Sequence, residues 1–359
     1  MAPRSTYPLQ SRPSSHFTCT PASSSQASET DTSSLSITPV NGSINGNTNG
    51  NAPQPTQHIS AGKRLRRLLS DPSHTVIAPG VYDGITARLA IASGAECLYM
   101  TGAGTSMSRL GMADLGLATF HDMHANAAMI AGIDSSVPLI ADGDAGYGGP
   151  INVARTVRAY ALAGVAGIHI EDQVNEKRCG HLSGKQIVSR DVYYSRLRAA
   201  CKARDESGGD IVIIARTDAR AGKDPDGNGG FQEAIERLQG AAKIGVDALF
   251  FEAMGSVEEM RQALRECPKI PMLLNMVQGG RTPLISNDFA NQLGFRIVIW
   301  PCLGMEALIP AYRNALSVMK DTGRPPPEQK LGPSALFEVC GLRDLMAFDE
   351  SVGGKAYSN

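Results

Sequence analysis

The chain has 359 residues, of which 42% are hydrophobic and 19% are charged, and its formal net charge is -1. This composition is typical of a globular enzyme with a large core, and the near-zero charge gives no reason to expect nucleic acid or an anionic membrane as a partner. No apolar run approaches the roughly 20 residues that span a bilayer, so no membrane span is predicted.

The first 58 residues differ in composition from the rest of the chain, because Ser, Thr, Pro, Asn and Gly dominate them. Such a segment buries too little apolar surface to offset its chain entropy, so we predict a disordered tail over 1–58. Arg4 and Arg12 precede the first acidic residue, Glu29, which is a faint transit-peptide signal. The scattered cysteines, without a CxxC pair, favour a reducing compartment, so we expect a cytoplasmic protein, with mitochondria as the alternative.

Short apolar segments then alternate with amphipathic ones. Strands are predicted at 76–79, 97–101, 138–142, 167–170, 211–215, 247–251, 271–275 and 296–300. Helices are predicted between them, among them 151–162, 191–204, 230–244 and 256–266, and another follows the last strand at 305–319. Several helices end in a glycine just before a strand, as in 163–167 and 244–247.

Strands that are apolar throughout indicate burial on both faces, and therefore parallel pairing. Eight such strands alternating with helices predict an α/β fold, a (β/α)8 barrel over 59–322. A doubly wound sheet is the competing fold, but no GxGxxG motif follows the first strand. Residues 323–359 add a Pro-rich linker and an amphipathic helical tail at 334–348, which could pack on its own barrel or on a neighbouring subunit.

Polar residues collect where the predicted strands end, which is where barrel enzymes carry their active sites. Asp142, Asp144 and Glu171 follow neighbouring strands, and three carboxylates without His or Cys suit Mg2+, or Mn2+, better than zinc. The alternative is a carboxylate cluster neutralised by Arg216 and solvent. The strand ends also carry Tyr99, Glu252 and Asn275.

Two further features point to a small dianionic substrate and an acid catalyst. The Gly-rich turn after Thr101, with Gly102 and Ala103, offers backbone N–H groups to an anionic oxygen, and Arg216 offers a planar fork to a carboxylate. Cys179 lies among Lys177, Arg178 and His181. Because cationic neighbours lower a thiol pKa, we expect Cys179 and His181 to be catalytic; the alternative is an inert cysteine.

Four segments together resemble the isocitrate lyase/phosphoenolpyruvate mutase superfamily. They are Ala141-Asp-Gly-Asp-Ala-Gly-Tyr-Gly-Gly149, His169-Ile-Glu-Asp-Gln173, Lys177-Arg-Cys-Gly-His181 and Ala215-Arg-Thr-Asp218. The resemblance extends from about residue 61 to the C-terminus. It implies a Mg2+-dependent enzyme on an (α/β)8 barrel, and a homotetramer in which the C-terminal helix is swapped between subunits.

The resemblance also implies roles for individual residues. Asp144 would bind the metal directly, while Asp142 and Glu171 would hold metal-bound waters. Asp114 would close over the site, and Cys179 would be the proton donor on a mobile loop. Tyr99 and Asp114 would also be catalytic, as the residues that help to deprotonate the oxygen at C2. The substrate-contacting positions implied by the resemblance are Tyr99, Thr101, Gly102, Ala103, Arg216, Glu252 and Asn275.

The segment Lys177-Arg-Cys-Gly-His181 is typical of the members that cleave carbon–carbon bonds. The resemblance therefore implies Mg2+-dependent cleavage of a small 2-oxo or 2-hydroxy dicarboxylate, and the segments look closest to fungal oxaloacetate acetylhydrolases. Hydrolysis of oxaloacetate to oxalate and acetate is the leading prediction. A 2-alkylmalate or methylisocitrate lyase is the alternative, because the serine associated with the hydrolases has no counterpart at 276–280 and Ser286 lies further along the chain. Phosphonate chemistry and a non-catalytic barrel rank below both.

Overall fold

The computed structural model describes residues 59–327 and 331–355, so the tail predicted at 1–58 lies outside the described residues. Eight parallel strands close into a barrel in chain order, with Val76 opposite Ile297 where the first strand meets the last. This confirms the predicted (β/α)8 fold. The strands are β1 (Val76–Val81), β2 (Leu98–Met100), β3 (Leu139–Asp142), β4 (Gly167–Glu171), β5 (Val212–Thr217), β6 (Ala248–Phe251), β7 (Met272–Asn275) and β8 (Ile297–Trp300).

Helices surround the barrel and extend beyond it. The glycine predicted to end a helix before β6 is Gly245, which takes the left-handed conformation with φ 99°. A π-helical turn, Ser106–Leu110, separates α3 from α4. The helices are α1 (Ala61–Ser70), α2 (Gly84–Ala92), α3 (Gly102–Thr105), α4 (Phe120–Ala131), α5 (Pro150–Leu162), α6 (Arg190–Glu206), α7 (Phe231–Ile244), α8 (Val257–Glu266), α9 (Asn287–Leu293), α10 (Leu303–Thr322), α11 (Pro333–Glu338) and α12 (Leu342–Ser351).

The barrel has two apolar cores, because successive side chains of a strand point to opposite faces of the sheet. The outer core lies between strands and helices, and it includes Ile168 and Ile213. The inner core fills the barrel, with residues such as Ile140 and Ile214. Leu65 of α1 is fully buried in this inner core. Helix α1 therefore closes the amino-terminal end of the barrel and leaves the carboxyl end as the open one.

The C-terminal segment predicted at 334–348 forms two helices rather than one. Gly341 separates them because its φ of 79° lies in the left-handed region. Neither α11 nor α12 has a buried residue, and Phe337 and Phe348 are 61% and 68% exposed. Across the described residues, no helix is both long and apolar enough to cross a membrane.

Candidate active site

The carboxyl ends of neighbouring strands bring the predicted polar side chains into one buried cluster. Asp142 and Glu171 end β3 and β4, Arg216 lies in β5, and Asn275 ends β7. Each of these four side chains belongs to a residue that is at most 8% exposed. Burial of so many ionisable groups is costly unless they pair with one another or with a bound ion. The cluster is therefore the candidate active site.

The backbone of the β3–β4 region directs the carboxylates toward each other. Asp144 has φ 45°, a left-handed conformation that is uncommon outside glycine and that marks local strain. Its N–H donates to Oδ1 of Asp142 over 2.9 Å, and its carbonyl accepts from the N–H of Glu171 over 2.9 Å. Gly102 packs directly against the carboxylate of Asp142, because a Cβ added to Gly102 would lie 2.3 Å from Oδ2 of Asp142.

The carboxylates are short of partners for their negative charge. Burial raises the pKa of Asp144 to about 6, although Lys177 opposes the shift, and burial also raises the pKa of Glu171 well above its ordinary value. Among the described residues, none donates a hydrogen bond to either oxygen of Glu171, although Nε of Arg216 lies 3.3 Å from Oε2. Within residues 59–327 and 331–355, no three His, Cys, Asp or Glu side chains form a ready cage for an ion. The arrangement fits an ion held by one carboxylate, with waters between it and the others.

Lys177 contacts the carboxylates and not the thiol two residues away. Its Nζ lies 2.5 Å from Oδ1 of Asp114 and 2.7 Å from Oδ1 of Asp144. Burial disfavours the ammonium, but Asp144 and Asp114 outweigh it and raise the pKa of Lys177 well above its ordinary value. Lys177 therefore joins the two loops that carry Asp114 and Cys179, and it stays charged.

The expectation that cations lower the pKa of Cys179 is wrong, because the pKa is raised, with burial as the largest cause. Arg178 extends away to the carbonyl of Ser183. Nδ1 of His181 accepts from the N–H of Arg281 over 3.0 Å, and its Nε2 lies 3.2 Å from Oε1 of Glu252. Cys179 is therefore a protonated thiol whose charged sequence neighbours are engaged elsewhere.

Arg216 lies between two carboxylates and over an aromatic ring. Its Nε is 2.9 Å from Oδ2 of Asp218 and 3.3 Å from Oε2 of Glu171. Its Cζ lies 5.0 Å from the centroid of the Phe250 ring. Asn275 donates from Nδ2 to Oε2 of Glu252 over 3.1 Å. The contacts of Arg216 with Asp218, Glu171 and Phe250 fix the guanidinium plane at the carboxyl end of the barrel.

Tyr99 is a protonated phenol. Its hydroxyl lies 2.8 Å from Nε2 of His169, inside the barrel. Burial raises the pKa of Tyr99 well above its ordinary value, with the charge of Asp142 acting in the same direction. Burial also lowers the pKa of His169 to about 3, so its imidazole is neutral. Tyr99 can donate a hydrogen bond to a neighbouring anion, but it is poorly suited to act as a base.

The predicted Gly-rich turn is the first turn of helix α3. Oγ1 of Thr101 caps this helix by accepting from the N–H of Gly104 over 3.3 Å. Gly102 and Ala103 therefore lie on a helical backbone, with Gly102 against Asp142, and Thr101 is the extended N-cap residue before them. Ser286, the serine nearest to the β7 loop, is the N-cap of α9, where its Oγ accepts from the N–H of Phe289.

Sequence reasoning assigned no role to three buried residues of this cluster. Asp218 lies between Arg216 and Lys185, and Nζ of Lys185 is 2.6 Å from its Oδ1. His169 is the third, in contact with Tyr99. Asp218 and His169 stand inside the quoted motifs, so their spacing from Arg216 and Glu171 was an available signal. Lys185 had none, because its burial depends on a loop that folds back.

Comparison with known proteins identifies the class of enzyme. A family model described as phosphoenolpyruvate phosphomutase matches residues 65–320. The chain therefore belongs to this family, within the isocitrate lyase/phosphoenolpyruvate mutase superfamily of enzymes. It is 40% identical over 263 residues to 2,3-dimethylmalate lyase of Eubacterium barkeri, covering 73% of this chain and 87% of that protein. It is 38% identical over 294 residues to 2-methylisocitrate lyase of Aeropyrum pernix, covering 81% and 91%.

Solved structures agree with the observed fold. The trigonal crystal form of 2,3-dimethylmalate lyase has a TM-score of 0.81 and 47% identity, over 84% of this chain and 98% of that chain. Oxaloacetate acetylhydrolase in complex with 3,3-difluorooxalacetate has a TM-score of 0.80 and 47% identity, over 83% and 99%. A lyase and a hydrolase are thus equally similar to this chain.

Proposed function

We propose that the protein cleaves a carbon–carbon bond of a small 2-oxo or 2-hydroxy dicarboxylate with the help of Mg2+ or Mn2+. The observation that carries this proposal is the pair of buried Glu171 oxygens, beside Asp142 and Asp144, that accept no hydrogen bond from any described residue. Acceptors in such a position suit the waters of a hydrated cation. The similarity to 2,3-dimethylmalate lyase and oxaloacetate acetylhydrolase supports the reaction class.

The metal would be held by Asp144 directly, and by Asp142 and Glu171 through water. When bound, it supplies a positive charge that stabilises negative charge on the oxygens at C1 and C2 of the substrate. The pKa values of Asp144 and Glu171 are raised, and a nearby cation would stabilise the ionised form of both carboxyl groups.

The substrate would be oriented by Arg216 at one side and by the Thr101–Ala103 turn at the other. Arg216 is fixed by Asp218 and Phe250, so its free N–H groups are already aimed when a carboxylate arrives. A fixed planar fork binds a carboxylate with little loss of side-chain entropy. Glu252 and Asn275, hydrogen-bonded to each other, would contact the same carboxylate or the C2 oxygens.

Proton transfer would use Asp114 and Cys179. Asp114 is the better candidate to take the proton from the C2 oxygen, because Tyr99 keeps its own proton. Cleavage leaves the electron pair on the departing carbon fragment as an enolate. The raised pKa of Cys179 keeps the thiol protonated, as a proton donor requires. The Cys179 proton would go to that carbon, and the resulting thiolate would be protonated again from solvent.

Two classes of substrate need separate tests, because the fold does not distinguish them. With oxaloacetate, water adds at C2 and the products are oxalate and acetate. With a 2-alkylmalate or methylisocitrate, the products are a keto acid and a second acid. The 40% identity to 2,3-dimethylmalate lyase supports this second candidate.

The experiment incubates the protein and Mg2+ with oxaloacetate, 2,3-dimethylmalate and 2-methylisocitrate separately, and identifies products by NMR. We expect oxalate and acetate from oxaloacetate. Turnover of only an alkylmalate or methylisocitrate would replace hydrolase by lyase. Phosphonopyruvate, followed by phosphorus NMR, serves as the control, and its turnover alone would contradict carbon–carbon cleavage.

We also propose that the protein is a homotetramer in which α11 and α12 pack on a neighbouring subunit. The two helices bury none of their own residues, and α10 exposes Leu308 and Tyr312. Apolar side chains on unpartnered helices favour association. Light scattering coupled to gel filtration should give four times the mass of one chain, and Phe348→Ser with Leu345→Ser should lower it. A monomeric wild type would contradict this proposal.

A further inference from the structure

Lys185 is a deeply buried cation beside the candidate active site. Its side chain is fully buried, and so is that of its partner Asp218. Nζ of Lys185 lies 2.6 Å from Oδ1 of Asp218 and donates to the carbonyl oxygen of Gly180 over 2.5 Å. A buried ammonium adds little net stability compared with an apolar side chain of similar size. Its position next to the active site therefore suggests a purpose other than stability.

The carbonyl that accepts from Lys185 belongs to the residue next to Cys179. Gly180 packs against the substrate-facing groups, because an added Cβ there would lie 2.3 Å from Oε1 of Glu252 and 2.7 Å from Nη2 of Arg216. The segment Cys179–His181 therefore covers Arg216 directly. Displacement of Gly180 by an ångström or two would move the thiol relative to any substrate held by Arg216.

The other end of the link is part of the rigid barrel. The N–H of Asp218 donates to Oδ1 of Asp172 over 2.8 Å, and Oγ1 of Thr217 donates to Oδ2 of the same carboxylate over 2.6 Å. Asp172 is paired in turn with the fully buried Arg237 of α7. Asp218 also binds Arg216 through Oδ2. One carboxylate thus fixes both the guanidinium and, through Lys185, the segment above it.

We propose that Lys185 is a positioning residue that holds the segment Cys179–His181 closed over Arg216. Its ammonium joins the Gly180 carbonyl to Asp218, and thereby sets the distance between the Cys179 thiol and the substrate site. The proposal rests on the proposed function only in taking Cys179 as the proton donor. The closure itself depends on contacts within the protein and can be measured without turnover.

The test compares the rates at which iodoacetamide alkylates individual cysteines in the intact protein and in Lys185→Met, resolved by peptide mass spectrometry. Cys179 reports on closure, while the buried Cys97 and Cys201 report on unfolding of the barrel. We expect Cys179 to react roughly tenfold faster or more in the variant, because local opening becomes easier, with Cys97 and Cys201 unchanged. The matched control is Lys223→Met, an exposed lysine on a neighbouring loop, which should leave all three rates unchanged.

Two outcomes would overturn the proposal. An unchanged Cys179 rate means that Lys185 does not hold the segment, and a parallel rise at Cys97 and Cys201 means that it only stabilises the barrel.

Lys185→Gln, which keeps a shorter neutral donor, should give an intermediate Cys179 rate and replaces the Met variant if that one does not fold. In turnover assays Lys185→Met should lower kcat far more than it raises KM, because Arg216 still binds the substrate. If Cys179→Ser stays active, the proton-donor role proposed for Cys179 fails, yet the alkylation result still decides the closure.

Discussion

The two ends of the barrel differ in almost every physical respect. At the amino-terminal end, Leu65 of α1 packs into the apolar inner core, and it is fully buried. At the carboxyl end, the same barrel holds buried charges, among them Glu171, Arg216 and Asp218. Burial of apolar surface at the closed end stabilises the folded state. Burial of ionisable groups near one another at the open end makes the folded state less stable. Substitutions at the two ends should therefore separate stability from activity.

The largest effect is expected at the open end, from Asp144→Asn. Loss of the proposed direct ligand should weaken Mg2+ binding by more than the roughly 100-fold that removal of an outer partner costs, and it should abolish turnover. Isothermal titration with MgCl2 measures the binding. Asp205→Asn, on the exposed end of α6, is the control and should bind Mg2+ like the wild type. Wild-type Mg2+ affinity in the Asp144 variant would rule out this metal site.

Cys179→Ser is expected to have the next largest effect. A serine hydroxyl is a much weaker acid than the thiol, so kcat should fall by roughly 10²- to 10⁴-fold, the range typical of a lost general acid. The melting temperature and Mg2+ affinity should stay unchanged. Cys340→Ser, at an exposed cysteine, should keep full activity. A fully active Cys179 variant would exclude the thiol as proton donor.

At the closed end, Leu65→Ala should reverse the pattern. Removing a fully buried leucine leaves a cavity in the inner core, which should lower the free energy of unfolding by about 2–5 kcal/mol. The kcat and KM of the folded enzyme should stay at wild-type values, since the cavity lies far from the carboxyl ends of the strands. Urea unfolding measures the change, and Arg67→Ala on the exposed face of α1 is the control. A fall in kcat that accompanies the loss of stability would show that the two ends are coupled.

The sequence predicted the barrel and most of the cluster because both follow from local signals. Apolar runs gave all eight strands to within about two residues at each end. Parallel strands put their carboxyl ends at one edge, which brought Asp142, Glu171, Arg216 and Asn275 together without further information. Helix α1 was not predicted, although Leu65, Leu68 and Leu69 recur at helical spacing in an otherwise basic segment. This pattern alone does not show that Leu65 packs into the barrel.

The residues of the loop after β4 were harder to predict, because closeness in sequence does not fix the direction of a side chain. Lys177, Arg178 and His181 were expected to act on the Cys179 thiol. In the structure Lys177 reaches Asp114 and Asp144, and His181 reaches Glu252. Burial then dominates the pKa of Cys179 and reverses the expected direction. Only the folded path of the loop reveals these partners.

The smallest predicted effect concerns His169, which lies where the apolar inner core meets the charged end. Its ring is fully buried against Phe250 and Tyr99, and burial lowers its pKa to about 3, below the roughly 6.5 of an unfolded chain. Between these two pKa values, the imidazole therefore binds a proton in the unfolded state but not in the folded state. The stability that the neutral imidazole contributes is complete above about pH 6.5 and is lost as the pH falls toward 3.

We therefore expect the unfolding free energy of the wild type to fall, relative to His169→Gln, by roughly 1.4 kcal/mol per pH unit below about pH 6. Glutamine stays neutral and can still hydrogen-bond the Tyr99 hydroxyl. Urea unfolding in EDTA at a series of pH values measures both proteins, and their difference cancels the opposing titrations of Asp144 and Glu171. Parallel curves would show that His169 is protonated while the protein stays folded. The charged end of the barrel would then extend one layer of side chains deeper than the burial of His169 indicates.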